Sequence, residues 1–145
     1  SKTSLKSIKN FSKNHPIYAE CGGMMLLGKS IFDLDGREHS MAGILPFKAK
    51  KSSLKIGYRK AISKNKSPIT NPGNKLIGHE FHRWEIIDEN YDNRIEPLWD
   101  FKGWNMEIKN EGFCNHLIHA SWLHLHWASS PVIIKNWKKS VIRFA

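Results

Sequence analysis

The sequence predicts an α/β fold in which a sheet is flanked by helices, and three observations carry that reading. Helical spacing of apolar residues at the N-terminus runs into a short apolar strand, a Gly-rich turn and a second apolar helix start, all between residues 3 and 28. The centre is rich in β-forming runs separated by Pro, Gly and Asn. The C-terminus returns to helical periodicity behind Ser129-Ser130-Pro131. Strand and helix alternating in this way is the rhythm of a parallel α/β sheet.

Each element follows from local chemistry. Leu5, Ile8 and Phe11 recur at helical spacing among lysines, so residues 3–13 read as an amphipathic helix. Asn14-His15-Pro16 ends it, because proline cannot continue a helix and restricts the residue before it. Ile17-Tyr18-Ala19-Glu20 reads as a strand, Cys21-Gly22-Gly23 as a tight turn, and Met24-Met25-Leu26-Leu27-Gly28 as a buried helix start. Met41 to Phe47, Lys55 to Ile62 and Leu76 to Ile87 are strand candidates, parted by Ser67-Pro68 and Asn71-Pro72-Gly73-Asn74. Trp99 to Ile108 and His116 to Leu123 suggest two more, joined by a turn around Asn110-Glu111-Gly112. Pro131 suits the first position of a last helix whose inner face carries Val132, Ile133, Trp137 and Val141.

Composition bounds the function classes. A chain of 145 residues, 40% hydrophobic and 25% charged, suits one soluble domain. No apolar run approaches the roughly 20 residues of a membrane span, and the Ser1 to Lys6 start lacks the apolar stretch of a signal peptide. The absence of an initiator Met suggests a piece of something longer. Two cysteines, Cys21 and Cys114, do not make a disulfide framework and point to reduced thiols in a cytoplasmic protein. The net charge of +10 is concentrated in Lys2–Lys13, Lys48–Lys66 and Lys135–Arg143. No aromatic-basic RNA motif or zinc-finger spacing accompanies it, so a solvated basic surface is preferred to a nucleic-acid site.

A cysteine between a strand and Gly-Gly fits a nucleophile elbow. A sharp strand-to-helix turn lifts the side chain clear of the sheet. Glycines tolerate the crowding, and a helix start favours the thiolate. Backbone N–H groups at the turn can cradle an oxyanion. The competing reading is a structural Cys at a Gly-rich bend. Gly23 to Ser30 also matches the phosphate-binding pattern that ends in Lys29-Ser30. That reading would leave Met-Met-Leu-Leu exposed around a charged ligand, where a buried helix start suits those residues better.

Histidines crowd the other end: His116, His119, His124 and His126, with His79 and His82 upstream. A cysteine nucleophile needs a base within hydrogen-bond reach, supplied from elsewhere in the chain. His124, at the end of a predicted strand, is placed to be that base. The rival is a metal pair of His124 and His126 on one face of a strand, for which the spacing specifies no further ligand.

Taken together, Pro16-Ile17-Tyr18-Ala19-Glu20-Cys21-Gly22-Gly23, Gly57-Tyr58-Arg59, Gly78-His79-Glu80-Phe81-His82 and Leu123-His124-Leu125-His126-Trp127-Ala128-Ser129 resemble the glutaminase domain of the cobyrinate a,c-diamide synthase family, in the family's order and over most of the chain. The resemblance implies a class I glutamine amidotransferase-like (flavodoxin-like) domain, N-terminally incomplete. An ATP- and Mg-dependent ligase domain is expected outside this chain, with no cofactor or metal held within it. It implies Cys21 as nucleophile, His124 as its base, and Gly22 and Gly23 at the oxyanion and substrate site. Glutamine would be the ammonia source, and a corrinoid the acceptor reached through the ligase domain. The glutaminases of hydrogenobyrinate, nickel-sirohydrochlorin and cobyric acid amidation share the chemistry. Many class I amidotransferases place Glu where this chain has His126, so the orienting acid is unassigned; Glu80 is a candidate, and His126 itself a supporting one. The Gly-rich segment that supplies a second oxyanion donor upstream of the nucleophile is not recognised in the chain.

Overall fold

The computed structural model describes residues 1–143. Its α/β architecture is an open mixed sheet with few helices, built in the order α1 (Lys2–Phe11), β1 (Ile17–Glu20), α2 (Gly22–Leu27), β2 (Ser30–Phe32), β3 (Glu38–Ser40), β4 (Lys48–Ser63), β5 (Lys75–Ile87), β6 (Glu96–Gly103), β7 (Lys109–Cys114), β8 (Ile118–Ser121), β9 (Leu123–Leu125) and α3 (Pro131–Arg143). The strands form one nine-stranded sheet in the order β1-β8-β7-β6-β4-β2-β3, with β5 pairing β4 and β9. The sheet is not the parallel one expected: among the described residues only β1 with β8 and β2 with β4 run parallel, and the other pairs are antiparallel, joined by hairpin-like turns in the β-rich centre rather than by crossover helices.

The helix–strand–turn–helix opening stands as expected. Ser1 caps α1, its hydroxyl accepting the Ser4 N–H at 3.3 Å. The chain turns through Ser12 to His15 before Pro16. β1 then lies beside β8 in the register Ile17↔Ile118 to Glu20↔Ser121.

The stretch Met41 to Phe47, expected as a strand, is irregular backbone. Its amides are spent elsewhere: Ala42, Gly43, Ile44 and Leu45 donate to the carbonyls of Leu26, Gly28 and Leu27, closing the end of α2. Ala42, Leu45 and Phe47 are buried, so the apolar signal reports core packing rather than a ladder.

Three further boundaries differ. The strand expected over Trp99 to Ile108 is β6, Glu96–Gly103, which starts earlier and ends before Trp104. Asn110-Glu111-Gly112, expected as a turn, lies inside β7. The single strand expected over His116 to Leu123 is two, β8 and β9, which break at Trp122 and pair with different neighbours. In α3, Ile133 is buried and Trp137 partly so, while Val132 and Val141 are exposed.

The apolar residues pack in two clusters. One gathers Met24, Leu27, Phe47, Phe113, Ala120 and Trp122; the other gathers Leu98, Trp99, Phe101, Cys114, Leu123 and Ile133. Phe113 and Cys114, adjacent on β7, fall into different clusters, as alternation across a strand requires.

Candidate active site

β1 delivers Cys21 to the start of α2, and the cysteine takes φ 50° and ψ −110°. Such a backbone costs on the order of 1–3 kcal/mol and persists only where both sides are held. Here the Cys21 N–H donates to the Ser121 carbonyl at 2.8 Å, and its own carbonyl accepts the Met25 N–H at 3.1 Å. The glycines contribute openness rather than unusual dihedrals. A Cβ on Gly22 would meet nothing within 4 Å, and one on Gly23 only the Ala19 Cβ at 3.6 Å. The backbone beside the sulfur is therefore clear for a ligand.

The thiol is half-buried and faces the Phe81 carbonyl at 3.8 Å. Burial pushes its pKa up, the Gly22 N–H pulls it back, and the Glu20 charge raises it again. The expected thiolate-favouring elbow is thus outweighed by desolvation, and deprotonation needs a base. Cys114 is fully buried, and burial pushes its thiol to about 12. Both cysteines are free, and only Cys21 is reachable.

β9 pairs with β5 so that His124 sits opposite His79. The His124 Nδ1 donates to the His79 carbonyl at 3.0 Å. A carbonyl only accepts, so Nδ1 is the donor, and in the neutral ring Nε2 is the acceptor. Cys21 and His124 are thus anchored on carbonyls two residues apart on β5, a span of roughly 7 Å along a strand. Glu20 adds a third tie: its Oε1 accepts the Leu125 N–H at 2.9 Å and also the Tyr18 hydroxyl. Among the described residues the Cys21 thiol makes its hydrogen bond to the Phe81 carbonyl, not to an imidazole.

Glu80 does not serve as the orienting acid of His124. Alternation along β5 puts His79 and Phe81 on one face and Glu80 and His82 on the other. His124, opposite His79, shares the first face. Glu80 is buried, with Oε2 on Arg59 Nε at 2.7 Å and Oε1 on His82 Nε2 at 2.9 Å. Burial opposes its ionisation, but the His82 and Arg59 hydrogen bonds win and hold its carboxyl below the usual range. His126 is exposed beyond the end of β9. The partner that orients His124 is therefore backbone, the His79 carbonyl.

The phosphate-loop reading fails on geometry: Met24 to Leu27 lie within α2, Met24 and Leu27 are buried, and Gly28 packs against the Phe47 ring. Among the described residues no group of three His, Cys, Asp or Glu stands close enough to hold a metal.

Residues 1–132 match the family described as the CobB/CobQ-like glutamine amidotransferase domain. The chain belongs to that family. Within it, the chain is 35% identical over 83% of its length to the cobyrinate a,c-diamide synthase of Synechococcus sp.. It is 33% identical over 80% of its length to the hydrogenobyrinate a,c-diamide synthase of Mycobacterium bovis, and 32% identical over 98% to a cobyrinate a,c-diamide synthase of Leptospira interrogans. These matches cover 26%, 24% and 32% of the respective relatives, so the chain spans about a quarter to a third of their length. A solved structure titled as that of a glutamine amidotransferase superposes with TM-score 0.61 at 12% identity, over 94% of this chain and 67% of the other, which supports the fold.

For a CobB/CobQ-like amidotransferase domain, the sequence reading omitted the residues that join the two ends of the site. The Ser121 carbonyl, the Glu20 carboxylate and the His79 carbonyl each bond a group far away in the chain, and no local pattern signals those roles. The Pro16 to Gly23 and Gly78 to His82 motifs did mark the two strands involved.

Proposed function

We propose that this domain hydrolyses glutamine, with Cys21 as nucleophile and His124 as its base, and that the whole protein passes the ammonia to carboxylates of a corrinoid. The observation that carries the reading is a strained, reachable Cys21 held on the Phe81 carbonyl of β5, two residues from the His79 carbonyl of the same strand that fixes the His124 Nδ1. The thiol's raised pKa makes such a base necessary.

Nε2 of His124 takes the thiol proton as the sulfur attacks the glutamine side-chain carbonyl. The Gly22 N–H, already aimed at the sulfur, helps to hold the tetrahedral oxyanion. Collapse breaks the C–N bond, His124 returns the proton, and ammonia leaves with Cys21 acylated. Water, deprotonated by His124, then cleaves the thioester to glutamate and the free thiol. The open space over Gly22 and the clearance at Gly23 suit the passage of the glutamine chain.

The corrinoid assignment rests on the relatives' names, cobyrinate and hydrogenobyrinate a,c-diamide synthases. ATP and Mg²⁺ would serve a ligase domain outside this chain, and no step here is routed through them. Reduced Cys21 and Cys114 fit a cytoplasmic setting. No helix among the described residues is long and apolar enough to cross a membrane.

The test is labelling with a glutamine-mimicking diazoketone followed by peptide mapping. Cys21 is expected to be modified and Cys114 spared, glutamine to protect, and His124→Ala to slow labelling by about 100-fold or more. Equal labelling of both thiols, or of neither, in the full-length polypeptide would overturn the assignment.

A further inference from the structure

β8 and β9 are nearly continuous in sequence, yet β8 pairs with β1 and β7 while β9 pairs with β5. The change of partner happens across Ser121, Trp122 and Leu123. The β7–β8 ladder is recorded at Phe113↔Ala120 and Cys114↔His119. Continued, the same register would set Gly112 against Ser121 and Glu111 against Trp122. In its place stands a carboxyl group. Gly112 turns to φ +79°, where a Cβ would press on the Ala120 carbonyl at 2.8 Å. Glu111 then reaches into the bend. Its Oε1 accepts the Trp122 N–H at 2.9 Å, and its Oε2 accepts the Ser121 hydroxyl at 2.6 Å and the Trp99 Nε1–H at 2.7 Å. The Ser121 oxygen passes the effect on by accepting the Leu123 N–H at 2.9 Å.

The two ends of this bend are the two halves of the site. The Ser121 carbonyl holds the Cys21 N–H, and Leu123 is followed directly by His124. We propose that Glu111 is a positioning residue, whose buried carboxyl group holds the β8–β9 bend and thereby sets His124 against Cys21. The proposal rests on the roles given to Cys21 and His124 above. An extended ladder would satisfy the same backbone donors without burying a carboxyl group, which is costly in itself. What the carboxyl group adds is a change of strand direction at a fixed point, and that change brings β9 to β5.

The test uses the full-length polypeptide, with the rate of Cys21 modification by a glutamine-mimicking diazoketone and by iodoacetamide followed from pH 6 to 10. Glu111→Gln is expected to fold and to slow diazoketone labelling by about 10- to 100-fold, the scale of a catalytic group displaced by about 1 Å. Its pH profile for iodoacetamide should move as that of His124→Ala does. In the double variant, Glu111→Gln should add less than about 2-fold to the loss caused by His124→Ala, as expected for residues acting as a unit. Ser121→Ala breaks the relay to Leu123 and leaves Glu111 in place; it should slow labelling in the same direction, and it decides the matter alone if Glu111→Gln does not fold. Wild-type labelling in a folded Glu111→Gln protein, or losses that multiply with those of His124→Ala, would overturn the positioning role. Wild-type labelling in His124→Ala would instead overturn the dyad on which it rests.

Discussion

Cys21 adopts a backbone conformation that glycine reaches with far less strain, and keeps it because Ser121 and Met25 hold both its peptide groups. A residue chosen for stability would be Gly; the thiol is what the strain retains. Cys21→Gly is therefore expected to stabilise the fold by about 1 kcal/mol while abolishing labelling, whereas Cys21→Ala, which keeps the strain, leaves stability near wild type. Thermal melts of the two variants check this, and a Cys21→Gly protein less stable than Cys21→Ala would refute the strain argument. His119 titrates against the fold. It is fully buried, its Nδ1 faces the Ser67 hydroxyl at 2.9 Å, its Nε2 has no hydrogen-bond partner among the described residues, and burial pushes it down to about 3. An unfolded histidine titrates near 6.5, so between about pH 6.5 and 3 the unfolded chain binds the extra proton. Stability is complete above that window and falls as pH drops through it, by roughly 1.4 kcal/mol per pH unit at most. Denaturation measured from pH 7 to 4 should show this slope, and His119→Phe should flatten it.

At the scale of elements, β9 is three residues long and owes its place to contacts rather than to its own pairing strength. Gly78 on β5 is the closest of these contacts: a Cβ there would stand 2.6 Å from the His124 carbonyl oxygen and 2.6 Å from Leu123 Cγ. Gly78→Ala must push β9 off β5, at an expected cost of about 1–3 kcal/mol, and it should slow diazoketone labelling of Cys21 along with the loss of stability. A variant destabilised to that extent but labelled at the wild-type rate would show that His124 does not depend on this contact. Local sequence made α1, β1, α2, β4, β5 and α3 legible, because each carries its own period or its own stop signal. It misplaced residues 41–47, whose apolar run packs as a loop under α2, and it read residues 116–123 as one strand. Both errors have one cause: hydrophobicity reports burial, while the choice between ladder and loop is made by partners far away in the chain.

For the whole molecule, a net charge of +10 on 145 residues sets a self-repulsion that salt screens. The melting temperature is expected to rise by a few degrees between 10 mM and 150 mM NaCl, and to stay within about 1 °C on adding EDTA, since no group of three metal-ligating residues is assembled among the described ones. A drop of several degrees with EDTA would return the His124 and His126 metal reading to consideration. The sequence by itself determined the α/β class, the family motifs, and the two chemically suggestive residues, Cys21 after a strand and His124 after a short apolar run, because each is written in neighbouring residues. Only the tertiary structure decided how their segments are tied together. It turned Glu80 to the far face of β5, gave His124 a backbone carbonyl as its orienting partner, made Cys21 rather than a glycine carry the strain, and bent β8 into β9 around the Glu111 carboxyl group. Those outcomes depend on which face of a strand meets which neighbour, and a register between segments some 100 residues apart is set by packing and hydrogen bonds that no local stretch of chain contains.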